Sequence, residues 1–189
     1  MDIVLDSETD AVLAELEKTQ HEFWNIPRKT GVLINTMIKM MNAKNVLELG
    51  TSNGYSGIWI AKALKKTSGR LTTIEFYNKR QSIAIDNFKK CGVFDIIRPI
   101  EGSACEILKW LGPDEKFDFV FIDANKREYV EYFKLVKPHL TSKAVIVADN
   151  IISHAEKVQT FIDAVDSDPE FQYMIAEIPG GLLIAYREG

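Results

Sequence analysis

Five short apolar segments, separated by stretches with helical spacing, constrain this chain more than any other feature. They are "NVLELG", "RLTTIEF", "DIIRPIEG", "FDFVFIDA" and "KAVIVADN". Short apolar runs bounded by turn residues read as buried strands. In the fourth, Phe117, Phe119, Val120, Phe121 and Ile122 leave little polar surface. That is the pattern of a strand covered on both faces. The intervening segments "YSGIWIAKALKK", "NKRQSIAIDNFKKCG", "ACEILKWL", "REYVEYFKLVKPHL" and "HAEKVQTFIDAVDS" read as helices. Gly92 is placed to cap the second of them, and Pro138 and Pro169 stop the last two.

Two helices, "DAVLAELEKTQHEFW" and "KTGVLINTMIKMMNA", precede the first strand. The end of the chain, "EFQYMIAEIPGGLLIAYRE", reads as two strands joined by Pro179-Gly180-Gly181, so one of them runs antiparallel to its neighbour. The alternation therefore predicts an α/β fold with a seven-stranded, mostly parallel sheet, a C-terminal antiparallel hairpin and helices on both faces. Among 189 residues, 46% of them hydrophobic, no repeat or Pro/Gly/Ser-rich linker divides the chain. The expectation is one domain over residues 1–189, with the helices of 1–42 packed on the core.

Charge and composition exclude several classes. A net charge of −4 gives no electrostatic footprint for nucleic acid. The basic run Lys62, Lys65, Lys66 and Arg70 reads as a solvated face. No apolar run approaches the roughly 20 residues that span a bilayer, and the acidic N-terminus is not a signal peptide. Cys91 and Cys105 are isolated, as expected of reduced structural thiols. A soluble, cytoplasmic protein without membrane or nucleic-acid partners is the expectation.

In open sheets of this kind the ligand crevice lies beyond the carboxyl ends of the strands. Those ends carry Glu48 to Asn53, Glu75 and Phe76, Gly102 and Ser103, Asp123 to Lys126, and Asp149 and Asn150. The first turn, "VLELGTSNGYSG", has glycines at 50, 54 and 57, which is not the G-x-G-x-x-G spacing of a dinucleotide turn. Glu75 lies 25 residues beyond Gly50, where a carboxylate can accept both ribose hydroxyls. Glu48 puts a negative charge beside the turn, which favours a cationic ligand and opposes a pyrophosphate. With the terminal hairpin, these features favour S-adenosylmethionine over NAD.

"VLELGTSNGYSG" followed by "TTIEF" resembles the first two motifs of class I S-adenosylmethionine-dependent methyltransferases, which have a Rossmann-like fold. "FDFVFIDANKREYVEYF" followed by "VIVADN" resembles more specifically the cation-dependent O-methyltransferases, a family that includes catechol and caffeoyl-CoA O-methyltransferases. The resemblance covers roughly residues 27–187. It implies methyl transfer to a hydroxyl of a small aromatic, catechol-like or phenolic acceptor, with a divalent cation, and a homodimer.

The resemblance carries over Gly50, Ser52, Gly54, Ser56, Glu75, Phe76, Ser103, Asp123 and Ala124 as cofactor contacts, beside Glu48. Asp123, Asp149 and Asn150 correspond to the family's metal ligands. Three hard oxygen donors suit Mg²⁺, Mn²⁺ or Ca²⁺. Asp123 also stands at the reacting centre, and Lys126 is the candidate general base, because a dication beside it favours its neutral form. Tyr55 is expected to line the pocket. Relatives often carry a glycine and a longer loop after the Asp-Asn pair, whereas this chain reads "DNIISHAEKV" with His154 at the mouth. His154 reads as a helix-start residue or an acceptor contact. His21 and His139 have no cluster partner, and Trp24, Trp59 and Trp110 fall at apolar helical positions. The rival readings are a metal-independent methyltransferase acting on another acceptor, an NAD-dependent oxidoreductase, and a non-catalytic binding protein.

Overall fold

The computed structural model describes residues 5–188; residues 1–4 and 189, which the expected domain includes, lie outside the described residues. Eight α-helices and seven strands follow one another among the described residues. The strands are β1 (Asn45–Leu49), β2 (Arg70–Glu75), β3 (Ile97–Glu101), β4 (Phe117–Ile122), β5 (Leu140–Ala148), β6 (Phe171–Ala176) and β7 (Leu182–Arg187). They form one sheet in the order β3-β2-β1-β4-β5-β7-β6. The first five pair in parallel, and β7 lies antiparallel to both β5 and β6. The predicted α/β sheet and its terminal hairpin are therefore present.

Side-chain parity explains the apolar strands. Along β4, Phe119 and Phe121 enter the cluster on one face, and Phe117, Val120 and Ile122 enter the cluster on the other. Successive strand residues point to opposite faces, so a strand buried on both sides must be apolar throughout. Pro99 is accommodated because β3 is an edge strand, where a missing amide donor breaks no interior ladder.

The helices are α1 (Ser7–Lys18), α2 (Gln20–Phe23), α3 (Arg28–Met41), α4 (Tyr55–Thr67), α5 (Asn78–Lys90), α6 (Ala104–Lys109), α7 (Tyr129–Val136) and α8 (Ala155–Asp166). Asp6 caps α1 by accepting from the Thr9 amide at 2.9 Å. The first predicted helix is in fact two, divided at Thr19, and a left-handed Trp24 (φ 55°) ends the second. Gly92, at φ 63°, follows the end of α5 as its spacing suggested. Strand β3 is shorter than predicted, because Phe94–Ile96 form a 3-10 turn. Strand β5 begins three residues earlier than predicted, at Leu140.

Helix α4 is buried almost all round, at Ile58, Trp59, Ile60, Ala61, Ala63 and Leu64. It lies under α3, and Leu13, Ile34 and Ile38 from α1 and α3 join its cluster. A Cβ on Gly31 of α3 would stand 2.5 Å from the Trp59 indole. Overpacking such a contact costs about 1–3 kcal/mol. Gly31→Ala is expected to lower the denaturant midpoint by that amount without changing the slope of the transition; an unchanged midpoint would show that the indole can move aside. Lys62, largely shielded, pairs with Asp6, and Lys65 pairs with Asp95, while Lys66 and Arg70 are exposed, so most of the basic run is a solvated face.

The chain runs outward from β1 to β3, then crosses back to β4 on the other side of β1. The switch point thus falls between β1 and β4, and the loops after these strands open a crevice there.

Candidate active site

A cavity of about 450 Å³ occupies this crevice. That is enough for a nucleoside-sized ligand. Its walls come from the loop after β1 and the start of α4 (Gly50, Thr51, Ser52, Tyr55, Ser56), the end of β2 and the turn after it (Ile74 to Tyr77), Arg80 of α5, the turn from β3 into α6 (Gly102, Ser103, Ala104) and the segment after β4 (Asp123 to Lys126). Phe23, Trp24, Asn25 and Ile26, between α2 and α3, form a strap on its remaining side, and Glu128 and Tyr132 contribute from the start of α7.

Gly50 has φ 98°, and a Cβ there would stand 2.1 Å from the backbone oxygen of Asp123. Glycine is required on both grounds. It seats the first loop directly against the end of β4. Gly54 does not line the cavity; its missing Cβ makes room for the Phe88 ring. Its part is to pack α4 onto α5.

Glu75 is 6% exposed and lines the cavity. One carboxylate oxygen accepts from the Ser52 amide at 2.8 Å and the other from the Tyr77 amide at 2.9 Å. These bonds fix its orientation and leave lone pairs for a ligand. The Ser52 side chain is spent elsewhere, since its hydroxyl donates to the Phe23 carbonyl at 3.0 Å and ties the strap to the loop.

Glu48 is placed differently from the sequence reading. It is fully buried and absent from the cavity walls. Ser56 Oγ and Thr73 Oγ1 donate to its two oxygens at 2.5 and 2.6 Å. Burial pushes its carboxyl up to about 7, against those two hydrogen bonds. It braces the start of α4 against β2 and, sealed from the cavity, does not face a ligand there. The Ser56 hydroxyl is consumed in the same brace.

Asp123 and Asp149 follow paired positions, because Ile122 of β4 lies beside Ala148 of β5. The Asp149 amide bonds to the Ile122 carbonyl at 3.0 Å, and the Tyr129 hydroxyl donates to the carbonyls of Asp149 (3.1 Å) and Ile122 (3.3 Å). Tyr129, buried behind the site, holds the two strand ends together. Lys126 Nζ donates to Asp123 Oδ1 at 2.7 Å, with both side chains largely shielded.

Asp149 is 3% exposed, and among the described residues its Oδ1 has no hydrogen-bond partner. Burial, and then the charge of Asp123, push its carboxyl well above the usual range. Asn150 follows at φ 65°, and a Cβ on Gly180 would come 3.2 Å from its Nδ2. Among the described residues no group of three or more His, Cys, Asp or Glu side chains gathers as a metal cluster. The set here is two carboxylates and an amide. A buried carboxylate oxygen without a partner, next to a second carboxylate, fits a bound cation, which would stabilise both charges.

His154 caps α8, shares a hydrogen bond with Ser153 Oγ at 3.0 Å and does not line the cavity. The predicted near-absence of a loop after Asn150 holds, since α8 begins at Ala155. His139 bonds to the Glu115 carbonyl. Trp59 is core and Trp24 rims the cavity, but Trp110 is 83% exposed and packs in neither way. Both cysteines are free. No helix is long and apolar enough to cross a membrane among the described residues.

The sequence reading missed the strap, Arg80, Glu128, Tyr129 and Tyr132. Arg80 lies 4.8 Å from the Trp24 ring centre, against the strap. The i, i+4 spacing of Glu128 and Tyr132 was the one available signal for that pair.

Comparison with known proteins gives a consistent picture. The sequence profile described as O-methyltransferase matches residues 5–178. A catechol O-methyltransferase of Niastella koreensis is 37% identical over 157 residues, which cover 79% of this chain and 69% of that protein. A caffeoyl-CoA O-methyltransferase of Arabidopsis thaliana is 32% identical, covering 72% of this chain and 55% of its own length. The matched region thus spans between 55% and 69% of these two relatives. The structure of an O-methyltransferase from Bacillus cereus in complex with SAH superposes with a TM-score of 0.87 at 25% identity, covering 98% of this chain and 93% of that one. The O-methyltransferase TomG of Streptomyces achromogenes, in complex with SAM, gives 0.86 at 25% identity, with 99% and 92% covered.

Proposed function

Because the chain belongs to the O-methyltransferase family, whose profile spans residues 5–178, we propose that it methylates a hydroxyl of a small aromatic, catechol-like acceptor with a divalent cation. The methyl donor is S-adenosylmethionine. The observation that carries this reading is a nucleoside-sized cavity lined by Glu75, Asp123 and Lys126, with Asp149 outside its walls but close enough to feel both charges and with its Oδ1 buried and unpartnered among the described residues.

S-adenosylmethionine supplies an electrophilic methyl group on a sulfonium. Glu75 accepts its ribose hydroxyls, Gly50 allows the loop to approach it, and Phe76 and Ser103 border its base. Asp123, Asp149 and the Asn150 amide oxygen would hold a Mg²⁺, Mn²⁺ or Ca²⁺ ion, which supplies positive charge that favours the phenolate form of an acceptor hydroxyl. As the neutral amine, the form that a cation held by Asp123 would favour, Lys126 takes the hydroxyl proton and becomes the ammonium, and its bond to Asp123 fixes where it can do so. Orientation of this kind can supply about 7–11 kcal/mol in favourable systems.

The decisive test combines calorimetry with S-adenosylhomocysteine and methyl transfer to a catechol panel, with Mg²⁺ and with EDTA. Binding, and transfer abolished by EDTA, are expected. Transfer that survives EDTA would remove the cation from the reading, and tight NADH binding without S-adenosylhomocysteine binding would defeat it entirely. Lys126→Ala is expected to lower kcat/KM by about 10²–10³ while S-adenosylhomocysteine affinity holds. Lys126→Arg should not restore the rate, since a guanidinium does not give up its proton. Recovery with arginine would make Lys126 a positioning charge.

A further inference from the structure

If the cavity is an adenosyl site, the strand order says where the base must lie. Asp123 and Asp149 follow β4 and β5, and Glu75 closes β2. A nucleoside whose ribose meets Glu75 and whose sulfur faces Asp123 extends its base past β2, towards the end of β3 at the sheet edge. Ser103 stands there, with its hydroxyl unused as a cap for α6. Glu128 and Tyr132 line the cavity too, although they follow β4 in the chain. They reach this end because α7 packs against α6. The proximity is electrostatic as well, since the Glu128 charge helps burial push the Cys105 thiol of α6 up to about 11.

Glu128 is not explained by the fold or by the methyl-transfer chemistry. Its Oε2 accepts from the Tyr132 hydroxyl at 2.5 Å, and among the described residues Tyr132 is its one side-chain hydrogen-bond partner. An ionised carboxylate is an acceptor on both oxygens. The second is therefore available at the place where the edge of a purine would arrive.

We infer that Glu128 is a specificity-determining residue for the base of the methyl donor. It accepts the exocyclic amine of adenine, with Tyr132 as the positioning residue that fixes the carboxylate. This rests on the reading of the cavity as an adenosyl site. A purine with a carbonyl at the same ring position turns an acceptor towards an acceptor. Both groups then lose a hydrogen bond in a shielded place, and sites built on such bonds discriminate strongly.

The test is equilibrium binding, independent of turnover. Calorimetry compares S-adenosylhomocysteine, its inosine counterpart with a carbonyl for the amine, and its purine counterpart with hydrogen there. Wild type is expected to bind the adenosine form at least about tenfold more tightly than either. Glu128→Gln should bring the adenosine and inosine forms within about threefold, because an amide can offer either a donor or an acceptor. Tyr132→Phe should shrink the preference without abolishing it, as a positioning role requires. A full preference retained in Glu128→Gln overturns the inference. Should that variant not fold, wild type alone decides: equal binding of the adenosine and purine forms overturns the inference and leaves the adenosyl reading intact. Failure to bind any of the three overturns the adenosyl reading and the inference with it.

Discussion

Asp149→Asn is expected to cut cation-dependent methyl transfer at least about a hundredfold while leaving the ligand-free protein as stable as wild type, or more stable, at pH 8. The two halves of this result have one cause. Asp149 is buried, and its Oδ1 has no partner among the described residues. A carboxylate in that position destabilises the fold when charged and earns its place only when something positive binds it. Its carboxyl is held above the ordinary 3.8 by burial and by Asp123. A folded-state pKa above the unfolded one means the folded protein holds the proton more tightly. Stability from this group is complete below the unfolded value and is lost as pH rises through the folded one. Asparagine keeps the shape and removes that loss. Mg²⁺ should raise the thermal midpoint of wild type, by an amount equivalent to about 2.7 kcal/mol at a hundred times its Kd, and should leave Asp149→Asn unmoved. A variant that unfolds readily, or still gains stability from Mg²⁺, would place the cation elsewhere.

The second large effect concerns Glu48. Its carboxyl is raised from 4.5 to about 7, chiefly by burial. The direction is again upward for an acid, so its contribution is complete below about 4.5 and disappears as pH passes about 7. At about 1.4 kcal/mol per pH unit, this single residue accounts for about 3 kcal/mol of lost stability between pH 4.5 and pH 8. Glu48→Gln should flatten that part of the profile, leaving the slope due to Asp149. The amide can still accept from one of Ser56 and Thr73 and donate to the other. Urea midpoints at unit pH intervals measure it. The same slope in wild type and variant would mean that Glu48 stays charged in the fold, contrary to its burial.

The α/β order was legible because a strand buried on both faces cannot hide its composition: "FDFVFIDA" has no polar face to alternate. Glu75 was legible as a cavity residue because it lies one strand-helix-strand unit beyond the first turn, a separation along the chain. Asp123, Asp149 and Asn150 were legible as the polar ends of apolar strands. Glu48 was misplaced for a reason of parity. Leu47 and Leu49 enter the cluster on one face of the sheet. Glu48 between them points to the other, where Ser56 and Thr73 meet it, and not to the end of the strand. The strap, Arg80, Glu128 and Tyr132 were out of reach because helix packing brings them to the cavity; the i, i+4 spacing of Glu128 and Tyr132 pairs them with each other but does not say what they face.

By itself the sequence determined which segments are strands, that a polar crevice lies at their carboxyl ends, and which family the motifs resemble. These follow from local periodicity and from residue type. Only the tertiary structure decided which carboxylates line the cavity, which brace a helix start and which hydroxyls are already spent. Those outcomes depend on the face each side chain takes and on the partners that reach it from distant elements. Glu48 and Glu75 belong to neighbouring strands, yet one is sealed between the start of α4 and β2 while the other opens into the cavity.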